Sequence, residues 1–176
     1  MSPRWILAIA ACWTQLACAA APADASHAFD FDIGTWRTHS SRLMHPLSGK
    51  SDWRDMDGIT TVRPLWGGRG NLAEYKADGP AGAVELLALR LFDPVSNQWT
   101  IHFAVPGKGE LATPGIGGVH DGRIEFYDQE SFNGRQILLR FSIWSISPDT
   151  ARSEQAFSAD GGKTWETNWI NRYTRM

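Results

Sequence analysis

From residue 35 onward the chain shows short runs of alternating apolar and polar residues, broken by glycine, proline, asparagine and aspartate. No apolar pattern at 3.6-residue spacing is sustained, so the chain reads as nearly all β. The pattern predicts strands over 36–43, 51–64, 70–76, 84–92, 99–105, 123–127, 136–146, 151–158 and 164–174. Asp57-Gly58, Gly67-Gly68, Asp121-Gly122, Asn133-Gly134 and Asp160-Gly161-Gly162 read as turns between antiparallel neighbours. About nine or ten strands at this spacing, with no helix to cover an open edge, predict one all-β domain folded as an up-and-down antiparallel barrel. The stretch 108–119, with Pro114 and four glycines, reads as a long rim or lid loop.

Gly34-Thr35-Trp36 places a sharp turn ahead of a large ring, a fitting start for the first strand and floor of such a barrel. The other end of the chain offers Arg172 and Arg175 on a strand-like segment, and either guanidinium can cap the Trp36 indole. Within 99–105, Trp99, Ile101, Phe103 and Val105 share an apolar face, while His102 falls on the other. In 136–146, Arg140 stands between Leu138 and Trp144 on one face, a surface of mixed polarity.

The beginning of the chain has a different character. Arg4, a brief apolar run from Trp5 to Trp13, and several A-x-A-like sites from Ala17 to Ala25 read as a secretory signal peptide over 1–25, with the domain at 26–176. Export to the periplasm or outside the cell is therefore expected, with a lipoprotein anchor at Cys18 as the lesser alternative. The apolar run is shorter than the roughly 20 residues of a spanning helix, so no membrane insertion of the mature chain is expected. Both cysteines, Cys12 and Cys18, lie in this segment, which leaves the domain without a disulfide. A net charge of −2 without basic clusters argues against nucleic acid. The load of nine tryptophans, seven of them beyond residue 25, suits a thick core or a lumen for an apolar ligand.

Candidate chemistry is sparse. Ser158, Asp160 and Trp165 form an S-x-D-x-G-x-T-W string whose mechanics are those of a hairpin clamp. His27, His39, His45, His102 and His120 include no metal-ligand spacing, so neither a metal nor a cofactor is expected. No G-x-S-x-G elbow is present. The remaining polar set, Arg90, His102, Arg140, Glu154 and Asn168, with Trp144, offers candidate ligand-binding residues. If Glu154, Arg140 and Arg90 met inside, the arginines would hold the carboxylate ionised and orient a polar ligand group. The alternative for these side chains is a row of exterior cross-strand pairs.

Phe29-Asp30-Phe31 with Gly34-Thr35-Trp36, Leu89 through Pro94 with Trp99, Arg140 through Trp144, and Glu154 through Ile170 together resemble an uncharacterised bacterial family of the calycin-like group. The resemblance implies a barrel related in shape to lipocalins and nitrobindin, and no established activity. It makes Arg175, ahead of Arg172, the match for the basic residue that packs on the G-x-W tryptophan of lipocalins. The chain differs from nitrobindin in lacking a histidine in its last strands, so haem is not implied. The readings that follow are an exported barrel binding an apolar or aromatic small molecule with one polar end, an enzyme using Glu154 with Arg140, or an envelope interaction protein.

Overall fold

The computed structural model describes residues 24–80 and 82–176. Ten strands follow one another: β1 (Gly34–Leu43), β2 (Trp53–Leu65), β3 (Gly70–Asp78), β4 (Val84–Asp93), β5 (Gln98–Ala104), β6 (Gly115–His120), β7 (Arg123–Phe132), β8 (Arg135–Ser147), β9 (Thr150–Ser158) and β10 (Glu166–Arg175). Each pairs antiparallel with its successor, and β10 returns to β1 to close an up-and-down barrel. The expected signal peptide lies outside the described residues except for Asp24 and Ala25, and Ala25 already belongs to the fold. Its carbonyl accepts the Trp99 indole N–H at 2.8 Å, and its own N–H donates to Asn97 at 3.2 Å.

Closure occurs in the register Trp36 opposite Arg175 and Arg42 opposite Trp169. Trp36 is 1% exposed, and the Arg175 guanidinium lies 4.0 Å from its ring centroid. Arg175 also donates to the carbonyls of Phe31 at 2.7 Å, Ile33 at 2.9 Å and Pro148 at 3.1 Å. Arg172, opposite His39, lies instead on the outer face. The chain before β1 folds under the barrel through a short 3₁₀ turn, Asp30–Asp32, and fills its lower end. Phe29 packs edge-on to Trp99 and beside Phe126, and Asp32 reaches inward to the Arg90 guanidinium. Trp36, Trp99, Phe126, Ile101 and Ile143 complete this closed end, each nearly free of solvent.

Two expectations change. The segment 108–119 is a loop only as far as Pro114, and the glycine-rich remainder is β6. Its glycines are dictated by close approach: a Cβ on Gly117 would stand 1.7 Å from the Glu125 carbonyl oxygen. Asp57-Gly58 makes no turn and lies inside β2, where a Cβ on Gly58 would meet the Lys76 carbonyl oxygen at 2.1 Å. Asp121-Gly122 and Asn133-Gly134 do form two-residue hairpin turns, both residues of each at positive φ.

Candidate ligand-binding site

The connections after β1, β3, β5, β7 and β9 gather at the end of the barrel away from Trp36, and the lumen beneath them is hollow. The cavity measures about 240 Å³. Strand alternation decides what faces it. On β3 and β4 the inward positions include Ala73 and Ala88, paired across the ladder, and these short side chains leave the space open. Phe103, beside Ala88 on the ladder, and Tyr75, two residues beyond Ala73, join Phe141, Phe157, Trp169 and Tyr173 in a mostly aromatic wall. Val105 and Ala112, from the segment after β5, line the mouth, and the Ala112 amide donates to the Phe103 carbonyl at 2.7 Å.

The polar groups of the wall are arranged in order. Tyr75 donates to the Ser40 hydroxyl, Ser40 to Asn171 Oδ1 at 2.6 Å, and Asn171 Nδ2 to Ser153 at 3.0 Å. Ser153 in turn meets the Tyr173 hydroxyl at 2.8 Å. Burial pushes the Tyr173 hydroxyl up to about 12 and raises that of Tyr75, so both remain protonated donors. The floor is Arg90, 4% exposed, bound to Asp32 and stacked 4.5 Å from the Phe29 ring centroid. Among the described residues its Nε has no partner, nor does Nδ2 of the neighbouring Asn71. On the wall, Glu130 faces the cavity and Asp128 is the next inward residue below it on β7. Burial, then the charge of Glu130, pushes the Asp128 carboxyl up to about 7, and burial raises Glu130 as well.

Of the residues predicted to bind ligand, Arg90 lines the cavity. Asn168 is buried at an irregularity in the β9–β10 ladder, where it accepts a hydrogen bond at 2.9 Å from the lumen residue Gln155. The others face outward. His102 lies opposite Leu89 on the outer face of β5. Glu154, opposite Ser142, is paired at 2.6 Å with Arg152, and Arg140 spreads 4.8 Å from the Trp165 ring centroid. Trp144 stands beneath Arg123 at 4.0 Å. The meeting of Glu154, Arg140 and Arg90 in the lumen is thus corrected: inward-facing Phe141 and Gln155 are cross-strand partners, which turns Arg140 and Glu154 to the outside.

The expectation missed Asp128, Glu130, Tyr75, Asn171 and Trp169. The two carboxylates continue the inward row Ile124, Phe126 of a strand read as ending at Tyr127. Trp169 lies inward by regular alternation with Asn171 and Tyr173, whereas the ladder shift between Thr167 and Trp169, a bulge that alternation alone does not reveal, buries Asn168 beside it. The hairpin string behaves as a turn clamp: Asp160 accepts from the Thr164 amide at 2.9 Å and hydroxyl at 2.7 Å, and Ser158 accepts from Gly162 at 2.8 Å.

No family model and no curated protein matches the sequence. Among solved structures the chain is similar to an S-type phycobiliprotein lyase, CPES, from Guillardia theta. The TM-score is 0.61 at 11% identity, over 88% of this chain and 94% of that one. At that identity the likeness shows the fold: the chain forms a calycin-like β-barrel.

Proposed function

We propose that the protein is an exported binding barrel for a small apolar or aromatic molecule with one polar end. The observation that carries this is the lumen itself: a cavity of about 240 Å³ with an aromatic wall, open at one end and plugged at the other. Ligand sites in general span about 300–1,000 Å³, so this volume suits a compact ligand of one or two rings. The phycobiliprotein lyase is named for an activity on a phycobiliprotein, and only its barrel fold bears on this reading. Export, and kinship with the calycin-like bacterial family of unknown function, are part of the proposal. They rest on the basic start, apolar run and A-x-A sites of residues 1–25 and on the motifs that carry the resemblance. An enzyme built on Glu154 and Arg140 has no support, since both lie outside the lumen.

Native mass spectrometry of the protein purified from its exported fraction tests the reading. A retained small molecule, and a mature N-terminus between Ala19 and Ala25, are the expected results. Titration with compact aromatic compounds should quench tryptophan fluorescence through Trp169, and a lumen that takes up none of them would remove the proposal.

A further inference from the structure

The charged groups of the lumen are met unequally. At the floor, Arg90 is neutralised by Asp32, so its free Nε asks only for a neutral acceptor. Glu130 lines the wall with Asp128 beneath it; among the described residues neither has a hydrogen bond or ion pair, and Oδ1 of Asp128 is buried without a partner. Their surroundings explain this. The neighbouring inward positions are Gly115 on β6, Ile101 and Phe103 on β5, and Ile137 and Leu139 on β8, none of which carries a charge. Tyr75 and Tyr173 remain protonated, Arg42 is spread over Trp169 at 4.9 Å, and Lys108 and Glu110 are exposed on the segment after β5. Burial raises both acids, the charge of Glu130 raises Asp128 further, and no cation offsets either.

Two half-buried carboxylates on an apolar wall are costly unless something compensates them. A bare metal ion fits poorly, because among the described residues no three acidic or histidine side chains gather. A hydrogen-bond donor carried by an apolar body fits both the charge and the wall. We propose that the polar end of the ligand is a protonated nitrogen, held by Glu130 with the charge of Asp128 beneath it, and that its apolar body lies against Phe103, Phe141 and Phe157. This deepens the binding-barrel reading and rests on it.

The test is calorimetric titration with tryptamine and with tryptophol, its neutral alcohol analogue, at pH 8. Tryptamine should bind tighter by on the order of tenfold or more, the range of a hydrogen bond to a charged group. The preference should shrink at pH 5, where Asp128 is protonated while the amine keeps its charge. It should vanish in the Glu130→Gln, Asp128→Asn double variant, with tryptophol binding retained as the control for an intact lumen. Equal affinity for the two probes in the unaltered protein would overturn the inference and leave the binding barrel standing. Failure of both probes to bind would remove both.

Discussion

Arg175 joins parts of the barrel that are far apart in sequence. Its guanidinium covers Trp36 and donates to carbonyls on both the N-terminal plug and the turn before β9. Replacing Trp36 by alanine removes a fully buried ring and leaves a cavity, so urea unfolding should show a loss of about 3–5 kcal/mol. Arg175→Ala should cost less, because it leaves Trp36 and its 2.8 Å bond to the Asp32 carbonyl in place. Asp128 acts in the opposite sense. Its folded-state value of about 7 lies above the ordinary aspartate value of 3.8, so the folded state holds this proton more tightly than the unfolded chain. The share of stability it withdraws is nil below about pH 4, grows as pH rises through the interval, and is complete above about 7. Asp128→Asn should therefore raise the melting temperature at pH 8, by on the order of 1–2 kcal/mol of stability after allowing for solvent at the mouth, and change little at pH 4. Trp36 and Arg175 were legible in the sequence because a glycine turn and a terminal strand announce them. Asp128 and Glu130 were not, since acidic residues on a strand ordinarily face water and only the closed barrel turns theirs inward.

At the scale of elements, alternation held where the ladder is regular and failed where the backbone departs from it. The faces of β5 follow directly from 99–105, whereas the bulge in β10 withdraws Asn168 from the face it was expected to share with Ile170 and Arg172. β6 was hidden because strand signals rest on side chains that glycines lack. What Gly115 and Gly117 contribute is proximity: a Cβ on Gly115 would stand 3.1 Å from Ile101 and 3.2 Å from Phe126, and one on Gly117 would strike the Glu125 carbonyl. Gly117→Ala should thus break the β6–β7 ladder, and hydrogen exchange should show faster amide exchange across 115–120 than in the unaltered protein. The 159–165 hairpin responds to pH for a different reason. Amide and hydroxyl donors hold the exposed Asp160 down to about 2, below 3.8 in the unfolded chain, so its clamp is complete above about pH 4 and lost as pH falls through 2. Asp160→Asn should make the Thr164 amide exchange quickly at neutral pH, where the unaltered hairpin protects it.

The whole molecule is divided between a filled end and a hollow one, and this division separates stability from binding. Plug, Trp36 and the Asp32–Arg90 pair occupy the closed end, while Ala73, Ala88 and Ala112 leave the other end empty. A void lined by apolar groups forfeits packing, so its persistence in a barrel that has aromatic residues to spare argues for an occupant. Filling the void tests that argument directly. Ala88 sits on the cavity wall with its Cβ directed into the space, and Ala88→Phe would place a ring where the ligand body is expected. If the cavity is a binding site, the variant should lose binding of tryptamine and tryptophol alike, yet melt no lower than the unaltered protein, and rise by roughly 2–4 °C for each 1 kcal/mol of packing gained. A structural void with no ligand would yield the same gain in stability and no loss of binding, because nothing would have bound before. A large drop in melting temperature would show instead that the inner face has no room at Ala88.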